Sequence, residues 1–172
     1  MASAGAGSVV AANAFDQAGL AYVITSANTV TVTGGASGNS ATEITIPDAV
    51  TSNGTTYSVT TIGFYDFGSA GITSVTIGNS VTTIDDEAFY DNRLTSLTIP
   101  DSVTTIGDYA FTENALSSVT FLGDFGAFEL SIFSDNYNLT TITFVQGKTG
   151  WPKTFTPAGS GSDTTTSQPA TP

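Results

Sequence analysis

The sequence repeats at an interval of 22 residues, and this repeat constrains the fold more than any other feature. The segment ITSVTIGNSVTTIDDEAFYDNR (72–93) is followed directly by LTSLTIPDSVTTIGDYAFTENA (94–115), and partial copies lie on both sides. A period of about 20–29 residues with apolar residues in columns is typical of a solenoid, because each coil buries its apolar side only against the next coil. The columns are Phe67, Phe89, Phe111 and Phe133; Ile62, Ile84, Ile106 and Phe128; and Val59, Val81, Val103 and Phe125.

Each repeat predicts one short strand and one return segment. In SLTI (96–99), alternation places Leu97 and Ile99 on one face and Ser96 and Thr98 on the other. The second half, SVTTIGDYAF (102–111), supplies the apolar residues that close the core from the opposite side. Successive strands should then pair in parallel, and the stacking of coils rather than local propensity should stabilise the fold.

The amino-acid sequence of the repeat resembles that of a known family. LTSLTIPDSVTTIGDYAFTEN is similar to the bacterial BspA-like (Treponema-type) leucine-rich repeats, whose consensus is close to L-x-x-I-x-I-P-x-S-V-x-x-I-G-x-x-A-F-x-x-C/N. The resemblance covers residues 43–144 and departs from the pattern at the ends, where Asp66 and Ile132 replace a small Ala and GDFGAFELS (123–131) replaces the usual return segment. Atypical terminal coils are expected, because they cap an exposed edge of the core. The resemblance implies a right-handed leucine-rich repeat solenoid with 22-residue coils.

The predicted fold is mainly β, with an N-terminal β-hairpin cap before the solenoid. LAYVITSANTVTVTG alternates around a turn at residues 26–28, and Asn53-Gly54 is a strong two-residue turn signal. Both hairpins should cover the N-terminal edge of the core, which would otherwise offer unpaired strand groups. Trp151 is expected to seal the last coil. The predicted layout is a leader or signal remnant (1–14), the hairpin cap and first strand (15–57), the solenoid with its C-terminal cap (58–151) and a Ser/Thr/Pro-rich linker (152–172).

The composition excludes several classes of function. The chain has 172 residues and a net charge of −12, from 15 acidic side chains against three basic ones, so it repels nucleic-acid phosphates and anionic lipid surfaces. It contains no Cys and no His, which removes thiol and imidazole catalysis and the zinc sites built from those residues. No apolar run approaches the ~20 residues that cross a bilayer. We therefore expect no enzyme activity, no cofactor, no metal, no nucleic-acid partner and no membrane insertion.

The outer side of the predicted strands carries a column of exposed hydroxyl groups. Equivalent residues on adjacent coils should lie about 5 Å apart. Ser and Thr suit exposed strand positions for solubility alone, but this face is also the partner-binding surface of other leucine-rich repeat proteins. A flat Thr-x-Thr ladder can also order water as ice-binding proteins do, although three of the eight positions are Ser. The predicted partner-binding positions are Ser74, Thr76, Ser96, Thr98, Ser118, Thr120, Thr141 and Thr143.

An acidic residue precedes an Asn at the same point of three coils, as Asp91-Asn92, Glu113-Asn114 and Asp135-Asn136. Stacked carboxylates could share a calcium ion, which takes roughly six to eight oxygen ligands, but the spacing lacks a D-x-D-x-D-G loop. We therefore predict a structural ladder of Asn amides that bond the backbone, with the acids facing water. The acidic run at 85–87 could act as a glycosidase pair, yet Gly107-Asp108-Tyr109 stands there in the next coil, which favours surface variation.

Aromatic residues add one more candidate surface. Tyr65 and Tyr109 share a column and Tyr90 neighbours it; exposed Tyr is enriched at interaction surfaces, although half-buried Tyr is as common in a small coil. The predicted function, as the family resemblance implies, is a secreted or cell-surface bacterial module that mediates adhesion or binds an extracellular protein or glycan. Two alternatives stay open: a structural subunit that self-assembles into a fibre or surface layer, and an ice-binding protein that uses the Ser/Thr ladder.

Overall fold

A computed structural model describes residues 13–123 and 130–144. The prediction of a mainly β fold is confirmed, since the helical structure in these ranges is one 3-10 turn at Leu130–Phe133. Residues 1–12 of the predicted leader, Trp151 and the predicted linker lie outside the described residues, as do Phe125 and Phe128. The strands are β1 (Ala14–Gln17), β2 (Leu20–Ile24), β3 (Thr29–Gly35), β4 (Glu43–Ile46), β5 (Ala49–Ser52), β6 (Thr55–Ile62), β7 (Ser74–Ile77), β8 (Thr83–Ile84), β9 (Ser96–Ile99), β10 (Thr105–Ile106), β11 (Ser118–Phe121) and β12 (Thr141–Phe144).

The N-terminal part of the chain forms antiparallel strand pairs. β1 begins at Ala14, inside the segment predicted as a leader, and pairs with β2. β2 pairs with β3 across the turn at 25–29, where Thr25 N donates to Thr29 O at 3.0 Å. β5 pairs with β6 across Asn53 and Gly54, whose φ values of +50° and +79° fit the two-residue hairpin turn that this dipeptide favours.

These antiparallel strands continue directly into a parallel ladder. The strand order of this sheet is β1-β2-β3-β6-β8-β10, with β5 also on β6. β3 runs parallel to β6, and β6, β8 and β10 pair in register through Thr61, Thr83 and Thr105, each 22 residues after the last. The first hairpin therefore occupies the edge that β6 would otherwise present to solvent.

A second set of parallel strands forms the other wall of the molecule. β4 pairs with β7, and β12, β11 and β9 form a separate three-stranded sheet. β9 and β11 are again 22 residues apart in register, whereas β4 and β7 are 31 apart because the β5–β6 hairpin is inserted between them. Among the described residues there is no helix with the length and apolarity that a membrane span requires.

The core between the two walls is organised around a stack of phenylalanine rings. Phe67, Phe89, Phe111 and Phe133 are at most 2 % exposed. Successive ring centroids lie 5.2, 5.4 and 5.9 Å apart, with interplanar angles of 6°, 4° and 16°. Aromatic contacts of this kind add about 0.5–1.5 kcal/mol each beyond the burial of apolar area. The column that repeats in the sequence is thus a continuous packed stack in the fold.

Candidate functional site

The predicted hydroxyl column lies on β7, β9, β11 and β12. On β9, Leu97 and Ile99 are buried in the core, whereas Ser96 and Thr98 are exposed. The alternation of a strand puts successive side chains on opposite faces, and β11 repeats the pattern with Val119 and Phe121 in the core. The hydroxyls therefore share one outer face of the molecule, which we call the hydroxyl face.

The pairing register joins six of the eight predicted positions in one sheet. The other two, Ser74 and Thr76, lie on β7, whose hydrogen-bonded partner is β4, and their neighbours there are Glu43 and Thr45. β7 and β9 contact each other but belong to separate sheets, so the backbone pairing, though not the neighbourhood of the strands, is interrupted between them. The two continuous lines are Ser96–Ser118–Thr141 and Thr98–Thr120–Thr143.

The exposure of these hydroxyl residues is uneven, although the sequence predicted exposed positions throughout. The residues on β7 and β9 are exposed, and those on β11 and β12 are half-buried. Ser118 and Thr120 lie on the central strand of their sheet, so neighbouring strands cover them from both sides. The accessible part of the hydroxyl face is therefore centred on β7 and β9.

The hydroxyl face differs from other hydroxyl columns in its hydrogen bonding. In the flanking column, just before these strands, Thr73 Oγ1 donates to Thr42 O at 3.2 Å, Ser117 Oγ to Thr95 O at 3.1 Å, and Thr140 Oγ1 to Ser117 O at 3.4 Å. Each of those hydroxyls thus forms a hydrogen bond to the backbone of the preceding coil. Within the described residues, the eight hydroxyls of the hydroxyl face have no such partner, so their donors and acceptors face solvent.

The Asn residue at the turn of each coil has a structural role. Asn114 is 9 % exposed; its Oδ1 accepts from Leu94 N at 3.0 Å, and its Nδ2 donates to the carbonyl oxygens of Phe89, Phe111 and Thr112 at 2.9, 3.2 and 3.2 Å. One amide thus satisfies backbone groups from two coils. The predicted Asn ladder is confirmed, and its other members are Asn92 and Asn136.

The acids beside these Asn residues point away from the core. Their backbone is left-handed, with φ of +50° at Asp91, +54° at Glu113 and +56° at Asp135. Each carboxylate accepts one hydrogen bond from a hydroxyl. Within 13–123 and 130–144, no three acidic side chains approach closely enough to hold a metal ion together. The hydroxyl donors and carboxylate acceptors are Ser69 Oγ to Asp91 Oδ2 at 2.9 Å, Tyr90 OH to Glu113 Oε1 at 2.5 Å, and Tyr137 OH to Asp135 Oδ1 at 2.8 Å.

The acidic run at 85–87 is also tied to the backbone of its neighbours. Asp86 Oδ1 accepts from Asp108 N at 2.9 Å, one coil further along. Burial, and secondarily the negative charge of Asp86, raise the pKa of Asp85 above its usual value. Asp66 lies near this run, at the column position that Ala88 and Ala110 fill in the core. The acidic run at 85–87 therefore lies near a half-buried carboxylate, that of Asp66, in the first coil, where the repeat departs from its pattern.

Asp66→Asn is expected to stabilise the protein near neutral pH. Burial, followed by the charge of Asp85, raises the pKa of Asp66 to about 6. The folded state therefore binds the Asp66 proton more tightly than the unfolded state, and this residue lowers stability as pH rises from about 4 to 6. The gain above pH 6 should be about 1–2 kcal/mol after allowance for solvent screening of a half-exposed group.

Urea unfolding of wild type and variant across this pH range checks the prediction. The difference in the free energy of unfolding should be small at pH 4 and grow towards pH 6.5, because the wild-type carboxylate ionises in that interval. Asp16→Asn, which removes one charge from an exposed strand position, serves as the control. A difference for Asp66→Asn that does not change with pH would contradict the assignment.

The chain resembles bacterial leucine-rich repeat proteins in both sequence and structure. The family model described as BspA type leucine-rich repeat region matches residues 60–152 in six copies. The structure of the pneumococcal vaccine antigen PcpA aligns with a TM-score of 0.63 and 20 % identity, over 78 % of this chain and 38 % of the antigen. That likeness shows the fold, and this chain spans well under half of the antigen's structure.

Two further bacterial structures are similar over part of the chain. A leucine-rich repeat protein from Bacteroides capillosus has 25 % identity and a TM-score of 0.49, over 64 % of this chain and 99 % of that one. A leucine-rich cell surface protein from Faecalibacterium prausnitzii has 22 % identity and a TM-score of 0.41, over 76 % and 54 % of the two chains. A search of curated proteins gives no match.

Proposed function

We propose a binding function for this chain, which belongs to the BspA-type leucine-rich repeat family. It acts as a secreted or cell-surface module, without catalytic activity or a cofactor, whose hydroxyl face binds an extracellular protein or glycan. The solved leucine-rich repeat proteins that resemble it include a vaccine antigen and a cell surface protein, which supports the location. The proposed scaffold is a right-handed solenoid of 22-residue coils with a hairpin cap, supported by the 22-residue register of β6, β8 and β10 and of β9 and β11.

One observation carries the proposal. Six hydroxyls of the hydroxyl face are aligned in register on one parallel sheet, and none of the eight has a hydrogen-bond partner among the described residues, whereas those of the flanking column bond the preceding coil. Hydroxyls held in fixed positions lose little freedom when they bind, so they suit recognition of a polar surface. A role in solubility alone would not require this alignment.

Thr98→Lys/Thr120→Lys is expected to abolish partner capture without unfolding the protein. Thr98 is exposed and Thr120 half-buried on adjacent strands, so the two long charged side chains would cover the centre of the hydroxyl face while their charges reach water. Capture should be measured on arrays of extracellular-matrix proteins and glycans, with circular dichroism to verify folding. The loss of signal should be at least tenfold, roughly the effect of one mismatched charge at an interface.

A matched control adds the same two charges elsewhere. Ser37 and Thr55 are exposed and lie in the N-terminal part of the chain, so Ser37→Lys/Thr55→Lys should leave capture intact. If the folded Thr98→Lys/Thr120→Lys variant bound as well as wild type, the hydroxyl face would not be the binding surface. Equal losses in both variants would attribute the effect to net charge.

The two alternative functions differ from this proposal in simple measurements. An ice-binding face should be evenly exposed, and here the hydroxyl residues of β11 and β12 are half-buried; thermal hysteresis should accordingly be absent. A self-assembling subunit would give a molar mass that grows with concentration in light scattering behind size-exclusion chromatography. A monomer at every concentration is the result that agrees with a free hydroxyl face.

A further inference from the structure

We propose that a second surface of this protein, which we call the acid–aromatic surface, binds a lysine- or arginine-rich segment of a partner protein. It lies on the turns that precede β9, β11 and β12 and on the turn that follows β6, whereas the hydroxyl face lies on the strands themselves. The proposal does not depend on the function proposed above. The residues of the surface are Phe64, Tyr65, Tyr90, Asp91, Glu113, Asp135 and Tyr137.

The acidic part of the surface is an open groove of about 470 Å³, lined by three carboxylates, the ring of Tyr137 and the edge of Asn114. This volume is many times the roughly 30 Å³ that one water molecule occupies in the liquid. No three acids in the described ranges converge closely enough for a metal ion. A groove of this size with separated negative charges fits extended organic cations, such as Lys and Arg side chains, better than a bare ion.

The aromatic part of the surface is exposed to solvent. Phe64 and Tyr137 are 63 % and 72 % exposed, and Tyr65 is 40 % exposed. The centroids of Phe64 and Tyr65 lie 6.4 Å apart and those of Tyr65 and Tyr90 6.2 Å apart, so these rings form one patch. Exposed rings attract cations over their faces and also cover the apolar stems of long basic side chains.

Hydrogen bonds join the aromatic patch to the groove. Tyr90 donates to Glu113 in the next coil at 2.5 Å, and Tyr65 OH lies 3.0 Å from Ser69 Oγ, which donates to Asp91. These hydrogen bonds orient the carboxylates of Glu113 and Asp91, each through one of its two oxygens. The hydrogen bond to Glu113, above all, raises the pKa of Tyr90 to about 12, because the carboxylate favours the protonated phenol. Pre-oriented carboxylates lose little freedom when a cation binds.

The charge of the molecule is complementary to a basic partner. In residues 13–123 and 130–144 the one basic side chain is Arg93, against the 12 Asp and Glu residues of those ranges. Arg93 follows Asp91 in the turn, which still leaves an excess of negative charge around the groove. A net negative field steers a basic segment towards the surface. A neutral glycan would stack on the same rings but would gain nothing from the field.

A labelled peptide of six Lys-Gly repeats is the probe, and its binding to the full chain is measured by fluorescence anisotropy at physiological salt. Glu113→Gln/Asp135→Asn keeps the side-chain shapes and one acceptor oxygen at each position but removes two charges from the groove. This variant should weaken binding about tenfold or more. Asp16→Asn/Glu43→Gln removes two charges from exposed positions on β1 and β4 and should change affinity by less than about twofold. Tyr65→Ala should also weaken binding.

Each other outcome overturns the proposal. Equal losses in the two charge variants would mean non-specific attraction to an acidic protein. Neutral oligosaccharide binding that Tyr65→Ala abolishes and the groove variant does not change would assign the rings to a glycan.

Discussion

Replacing Phe111 with alanine should lower the free energy of unfolding by about 3–5 kcal/mol. The ring is fully buried and stacks on Phe89 at 5.4 Å and on Phe133 at 5.9 Å. Its removal leaves a cavity that the coils on either side cannot fill, because their backbones are fixed by parallel pairing and by the Asn ladder. Domains of this size have a total stability of only about 5–15 kcal/mol, so the loss should be visible as a large shift of the urea midpoint.

Two companion variants separate ring stacking from general burial. Phe67 lies at the first position of the stack and has one ring neighbour in it, Phe89 at 5.2 Å, so Phe67→Ala should cost less than Phe111→Ala. Phe64→Ala removes a ring that is 63 % exposed, and its effect should stay within about 0.5 kcal/mol. Equal costs at Phe111 and Phe67 would mean that the stack adds nothing beyond burial.

The stacked core could be predicted because it depends on local rules repeated at one interval. The alternation of SLTI fixes which side chains of β9 face inward, and the 22-residue spacing of Phe89 and Phe111 puts them in equivalent places on adjacent coils. The Asn ladder follows from the same logic, since a polar residue that recurs at a turn has backbone groups to bond there. Asn53-Gly54 predicts its own hairpin turn, because both residues readily adopt the positive φ that the turn requires.

The surface features could not be predicted in the same way, because they depend on how far apart the coils lie. The break in backbone pairing between β7 and β9 has no counterpart in the sequence, since the two strands are almost the same. The bond from Tyr90 to Glu113 joins residues 23 apart, off the 22-residue interval, so no column reveals it. The sequence pattern does not reveal β1, because Ala14–Gln17 follows a stretch of small residues typical of a leader.

Asn114→Ala is expected to destabilise the protein by about 1–3 kcal/mol. The amide of Asn114 satisfies Leu94 N and three carbonyl groups in a place almost closed to water. A buried group left without a partner costs about 1–3 kcal/mol, and alanine leaves the Leu94 N–H in that state. The three carbonyl groups each keep a second donor from a neighbouring coil or turn. The methyl group cannot replace these bonds, and the two coils lose the bridge that fixes their spacing.

Urea unfolding at neutral pH measures this cost, and Asn79→Ala is the matched control. Asn79 is exposed in a turn, so its replacement should change stability by less than about 0.5 kcal/mol. The ladder also predicts where the damage extends: amide hydrogen exchange should accelerate at Leu94 and in the adjacent coils before it does in β2 and β3, since solenoids open through neighbouring coils. A loss for Asn114→Ala no greater than that for Asn79→Ala would mean that water replaces the amide at this turn, and the Asn ladder would then be a consequence of the fold rather than one of its supports.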